Sequence, residues 1–301
     1  SYSVTGVQTC ALPISSSGWK GGGVYEETSI DEYTLAYHLN AKSTVGILTH
    51  KPFHTPLYPD TTNAYEVILS SGTLESITLA QFQVGGVNYA ALRASNGRNE
   101  VIAFKDATLI SANKWSLKTV SRGLFGTEQL VDSGSAIEFV LLDESSIGRV
   151  QLEEADINIQ KSLRSVSDGS YVYGDNVLDQ TFTPKAQNLV PFAPAQTHAT
   201  FEVNGDVTIT WTARDRRRIK AFWSSATTID PLNFEIDMLD QSGNVLNTYF
   251  VTDAQTFTYL SANRITDYGD TVEYIYARIY QISDVAADRK STRLNSSHRI
   301  R

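Results

Sequence analysis

The chain has 301 residues, with 25 Lys and Arg against 33 Asp and Glu, 41% hydrophobic residues and 10% aromatic ones. That apolar content builds a core, which excludes a wholly disordered chain, and a net charge of −8 argues against a partner bound through its phosphate backbone. No apolar run reaches the roughly 18 residues that a membrane-spanning helix needs, and the single Cys cannot form an internal disulfide framework.

The first segment, Val4-Thr-Gly-Val-Gln-Thr-Cys-Ala-Leu-Pro-Ile14, has an unusual relation to the last one. A DNA string that encodes it has a reverse complement that encodes Asp288-Arg-Lys-Ser-Thr-Arg-Leu-Asn-Ser-Ser-His298, residue for residue. Strand inversion is a property of DNA and not of proteins, and the string resembles a sequencing adapter. Residues 1–15 and 288–301 are therefore expected to be adapter-derived scars and are set aside from fold reasoning. Cys10 lies in the first scar. Five basic residues and Asp288 lie in the second, which leaves 20 basic residues against 32 acidic ones and removes any basic C-terminal arm. The native protein is expected to extend beyond residues 16–287.

Period-2 patterns dominate residues 16–287. Residues 31–38 and 152–163 are the mildly helix-like stretches. Residues 65–69, 76–79, 87–92, 100–104 and 137–142 read as strands, separated by Gly, Asn and Ser turn clusters. Residues 16–164 are thus expected to form a β-sandwich or barrel-like module. Residues 165–194 are polar, irregular and proline-bearing, and read as a linker. Residues 195–287 alternate most cleanly: Val207, Ile209 and Trp211 share one strand face, as do Phe234, Ile236 and Met238, and then Ile275, Ala277 and Ile279. About six strands with a buried Trp on the second fit a fibronectin type III or immunoglobulin-like sandwich. Its last strand would start near Val285, where the scar intervenes, so an incomplete sandwich with an exposed edge is expected. The fold class is all-β.

Few residues suggest chemistry. His50 and His54, with Asp60 as a third ligand, would be a metal set, but Pro52 and Pro56 forbid the helix that would bring the two imidazoles together. Asp143-Glu144 and Glu153-Glu154-Ala-Asp156 offer carboxylates for Ca²⁺ or glycoside cleavage, yet the spacing of a Ca²⁺ loop is absent and solvated surface charge explains them more simply. Arg214-Asp-Arg-Arg-Arg218, with Arg216 and Arg217 inside it, is a basic run at a strand end, suited to a partner subunit or to neighbouring carboxylates. Tyr274 and Tyr276 lie opposite the apolar face of their strand and are expected partner contacts. In Ser121-Arg-Gly-Leu-Phe-Gly-Thr-Glu128 no Gly-Lys-Ser/Thr follows, so this is no phosphate loop. It reads as a tight structural loop: Gly123 and Gly126 take positive φ, Arg122 ties it down through its guanidinium fork, with Glu128 as the expected acceptor, and Thr127 completes the motif. No catalytic constellation, cofactor site or metal site is expected.

The ordered string Asn99-Glu-Val-Ile-Ala-Phe-Lys-Asp-Ala-Thr-Leu-Ile110, Trp115-Ser-Leu, and Arg122-Gly-Leu-Phe-Gly-Thr-Glu128 resembles phage tail hub proteins, and more closely the tail-tip or baseplate proteins of siphophages and gene transfer agents. Gly18-Trp-Lys-Gly21, the strand at 139–142, the stretch 205–218, Asp267-Tyr-Gly269 and Tyr280-Gln-Ile-Ser283 come in the family's order. A second Arg usual in the loop is missing at Leu124-Phe125, and a His that often follows Thr-Glu is absent from residues 129–135. The resemblance implies a structural, non-enzymatic role at the distal tail of a virion assembled in bacterial cytoplasm. Other tail proteins, copies of the chain in a trimer, and a host surface glycan or receptor are the implied partners, with no nucleic acid and no membrane span. Two other readings are a secreted adhesin or carbohydrate-binding module, and a glycan-cleaving enzyme that would depend on Glu153 and Glu154.

Overall fold

In the computed structural model, the described residues are 20–52, 59–85, 87–94, 99–127, 136–186, 190–191, 193–214, 233–269, 274–282 and 298–300. The chain divides into two compact units, Ser1–Asn188 and Leu189–Arg301.

The first unit holds β1 (Gly22–Ser29), β2 (Glu32–Leu39), β3 (Val45–His50), β4 (Tyr65–Ser71), α1 (Leu79–Val84), β5 (Tyr89–Ala94), β6 (Asn99–Ser111), β7 (Lys114–Ser121), β8 (Ala136–Leu141), β9 (Lys161–Ser167) and β10 (Val177–Phe182). Six of these close an antiparallel barrel in the order β3-β4-β7-β6-β5-β8, with β8 pairing back onto β3. The barrel-like expectation is met. The strands alternate as a barrel wall requires: on β4, Tyr65, Val67 and Leu69 point inward while Glu66 and Ile68 face outward. Ile102, Phe104, Leu117 and Phe139 from β6, β7 and β8 fill the interior.

The barrel is inserted between the two halves of a second sheet. The β1–β2 hairpin precedes it and β9–β10 comes after it, in the order β10-β9-β1-β2. Two sequence expectations change here. Residues 31–38, read as helix-like, form most of β2, because the hairpin partner β1 satisfies their backbone groups from across the turn. The stretch 165–194, read as an irregular linker, carries the end of β9 and all of β10, with Val177 opposite Val166 and Phe182 opposite Lys161. Residues 154–156 form only a 3₁₀ turn ahead of β9.

Residues 76–79, read as a strand, instead run into α1. Thr78 is its N-cap: its hydroxyl accepts from the Gln81 amide, and the Gln81 carboxamide oxygen accepts from the Thr78 amide. This reciprocal box satisfies two of the helix's orphan donors and stabilises it by about 1 kcal/mol.

The second unit holds β11 (Ala195–Phe201), β12 (Val207–Thr212), β13 (Asn233–Leu239), β14 (Val245–Thr252), β15 (Thr256–Tyr259), α2 (Ser261–Tyr268), β16 (Ile275–Gln281) and β17 (His298–Ile300). A sheet ordered β11-β12-β15 packs on one ordered β14-β13-β16-β17. The shared core is the one legible in the sequence: Ile209 and Trp211 from one sheet meet Phe234, Ile236 and Ile279 from the other, with Trp211 edge-on to Phe234 at 5.1 Å. This is a two-sheet antiparallel sandwich. It differs from the expectation at its edge, since residues 298–300, inside the segment set aside as a scar, pair with β16 through Ile275–Ile300 and Ala277–His298. Backbone hydrogen bonding needs no native side chain, so any extended segment of the right reach can cover that edge.

Candidate functional site

The Arg-Gly-Leu-Phe-Gly-Thr loop sits where β7 leaves the barrel. Its shape follows from its glycines. Gly123 has φ 61° and ψ 37°, and Gly126 has φ 88°. Both lie in the left-handed region that glycine enters without steric cost. Phe125 between them also has positive φ, 54°, a strained conformation that the surrounding contacts must hold.

Several of those contacts run to the start of β6. Arg122 donates Nε to Glu100 Oε1 and Nη2 to Glu100 Oε2, each at 2.7 Å. The two side chains are 0% and 3% exposed. Lys51 Nζ lies 3.5 Å from Glu100 Oε2, and the Tyr65 ring centre is 6.0 Å from the Arg122 guanidinium carbon. Five residues on, the Thr127 hydroxyl accepts from the Val101 amide at 2.9 Å and donates to the Leu124 carbonyl at 2.7 Å. Leu124 and Phe125 then cover Val101 and Ala103 on the outside of the barrel, beside Phe82 of α1, and Phe125 meets Tyr89 edge-on at 5.1 Å. Residues 101–104 are consequently buried on both faces, which explains why their sequence is apolar without alternation.

The motif is therefore a clasp on β6. The sequence reading placed Arg122, Gly123, Gly126 and Thr127 correctly in one tight loop. Among the described residues the acceptor for Arg122 is Glu100; the expected acceptor, Glu128, lies outside them. The signal that names Glu100 is a lone acid at the head of an apolar run, which only a buried cation tolerates. The pair is matched and buried. It fastens the loop that leads into residues 128–135.

The other expected site residues take structural places. Asp60 is buried, and its Oδ1 accepts from the Thr62 and Asn63 amides and the Thr62 hydroxyl, while Oδ2 accepts from Asn63 Nδ2. Burial pushes its carboxyl up, but the hydrogen bonds from Asn63 and Thr62 outweigh it and hold the group below the usual range. Its backbone also pairs with Val120, so it closes a turn against the barrel. His54 lies outside the described residues, and among those described no cluster of metal-ligating side chains occurs.

Asp143 caps its own turn through Ser145, and Glu144 pairs with Arg149. Asp156 accepts from Lys161 at 2.7 Å and from the Glu153 amide, which lowers its affinity for a proton, the reverse of what a general acid needs. Arg214 turns inward and donates Nε and Nη2 to the Ala193 carbonyl at 2.8 and 2.6 Å, so it fastens the entry to β11 and presents no exposed charge. Arg216, Arg217 and Arg218 lie outside the described residues. Tyr274 and Tyr276 are half-buried, and the Tyr276 carbonyl accepts from the Tyr268 hydroxyl at 3.2 Å. No described helix is long and apolar enough to cross a membrane.

The barrel, with the clasp inside it, runs from Val45 to Leu141. Residues 43–142 match the family described as Rcc01698-like, C-terminal. The matched segment and the barrel have the same bounds to within about two residues, so the likeness rests on one complete closed sheet. It contains the string from Asn99 to Glu128 and the strand at 139–142, while the other segments quoted for the resemblance lie outside it. A comparison with curated proteins finds none that matches.

Proposed function

We propose that the chain is a structural component of a phage or gene-transfer-agent tail tip or baseplate, assembling with other tail proteins and supporting host attachment. The observation that carries this reading is the coincidence of the closed barrel with the Rcc01698-like domain, since Rcc01698 is a gene transfer agent protein. The barrel suits such a role physically. Closing the sheet removes its edges, and the clasp locks an external loop to it with a desolvated ion pair, so the barrel presents a fixed surface for neighbouring subunits. In this reading the role is non-catalytic, the chain assembles in bacterial cytoplasm, and copies of it form a ring, most simply a trimer, through a heterologous interface.

The test is location. Tailed particles from the source culture are purified and labelled with gold-tagged antibody raised against the chain. Label at the distal end of the tail is the expected result. Recovery of the chain in the envelope or secreted fraction, with unlabelled particles, overturns the reading in favour of an adhesin.

A further inference from the structure

The four-stranded sheet of the first unit carries an aromatic cluster that the assembly role does not use. Tyr33 from β2 meets Tyr173 edge-on, with ring centres 6.0 Å apart, and Tyr173 meets Tyr171 at 5.4 Å. Tyr171 and Tyr173 belong to the loop that joins β9 to β10, and they are 69% and 51% exposed. Exposed rings normally collapse onto a core or move freely. These are held in place by Arg164. Its guanidinium lies 4.1 Å from the Tyr33 ring centre, donates Nε and Nη2 to Asp179 at 2.7 and 2.8 Å, and donates Nη1 to the Val172 carbonyl at 3.1 Å. Val172 lies between the two loop tyrosines, so one arginine anchors both the Tyr33 ring and the backbone that carries Tyr171 and Tyr173.

We infer that Tyr33, Tyr171 and Tyr173 form a binding platform for a neutral glycan. Sugar rings present C–H faces of slight positive charge, which stack on the electron-rich faces of aromatic rings. Their hydroxyl groups need acceptors, and the platform is rimmed by Glu27, directly opposite Tyr33 in the hairpin, and by the exposed Asp31 in its turn. The cation beneath the rings is taken by Asp179, so the rim is net acidic and repels anionic ligands, including single-stranded nucleic acid that would otherwise stack on such rings. Rings fixed before the ligand arrives lose little entropy on binding. This inference stands on the sheet alone and does not depend on the tail-tip reading.

The test is electrophoresis of the purified full chain in native gels that each contain one polysaccharide: amylose, mannan, laminarin, or alginate as the anionic control. Retardation is expected in at least one neutral gel and not in alginate. The Y171A/Y173A double variant should lose at least about tenfold in affinity, whereas Y171F/Y173F, which keeps the stacking faces, retains binding. Y171A alone alters the most exposed ring and should weaken binding with an unchanged melting curve, which separates ligand loss from misfolding. No retardation in any neutral gel, retardation only in alginate, or retardation that survives Y171A/Y173A overturns the proposal. Each result is independent of where the chain sits on a particle.

Discussion

Arg122 and Glu100 stand 22 residues apart and share two parallel 2.7 Å hydrogen bonds inside the barrel wall. Replacing Arg122 with Met leaves the Glu100 carboxylate buried, with Lys51 as its remaining nearby cation. The expected cost is about 3 kcal/mol, at the lower end of what breaking a buried pair costs because Lys51 remains. The double variant R122M/E100L should recover much of that loss, since apolar replacement of both partners removes the unpaired charge. Urea unfolding followed by a probe in the barrel checks both values.

Thr127 serves as donor and acceptor at once, between the Leu124 carbonyl and the Val101 amide. Thr127→Val keeps the shape and removes both bonds. The Leu124 carbonyl still accepts from the Thr127 amide, so the Val101 amide is the group left unsatisfied, and the expected destabilisation is about 1–3 kcal/mol. Amide hydrogen exchange at Val101 should accelerate while exchange deep in β4 stays slow. Unchanged exchange at Val101 would show that the clasp is not held this way.

Gly46 lies where β3 crosses β4. A Cβ built there falls 2.3 Å from the Ile68 carbonyl oxygen and 2.9 Å from the Leu69 Cα, both backbone atoms that cannot swing aside. Gly46→Ala should therefore push β3 off β4 and cost about 1–3 kcal/mol as an overpacking change. A melting temperature equal to that of the parent chain would contradict the strand spacing.

His38 ties the end of β2 to the turn after β9. Its Nε2 is 2.8 Å from Asp168 Oδ1 and its Nδ1 is 2.8 Å from Asn40 Oδ1. The hydrogen bond to Asp168 raises its proton affinity above the usual value of 6.5, partly opposed by desolvation. A raised folded-state value means that the stabilisation is fully present below pH 6.5 and fades as pH rises through the folded value. A proton NMR titration should place His38 above 6.5, and His38→Gln should remove the corresponding slope in stability against pH.

Much of the second unit is legible in the sequence. Val207, Ile209, Trp211, Phe234, Ile236 and Ile279 all point inward, as their period-2 spacing requires. The spacing works where one face of a strand is apolar and the other polar, and it holds even on β13, which is buried on both faces but carries Glu235 and Asp237 opposite Phe234, Ile236 and Met238. The Arg-Gly-x-x-Gly-Thr loop is legible for a similar reason, since the need for positive φ at Gly123 and Gly126 is written in the residues themselves.

The partners across long stretches of chain are not. Glu100 reaches Arg122 because the β6–β7 register sets Ala103 opposite Ser121, a pairing that no local pattern specifies. Strands β9 and β10 join β1 and β2 across the whole barrel, so their polar, proline-flanked sequence by itself resembles a linker. Residues 101–104 lack alternation because a loop and a helix cover their outer face. Composition and spacing record what each residue needs, whether a turn, a buried face or a counter-charge. Which distant residue meets that need is a matter of strand register and sheet closure, which depend on the whole chain at once.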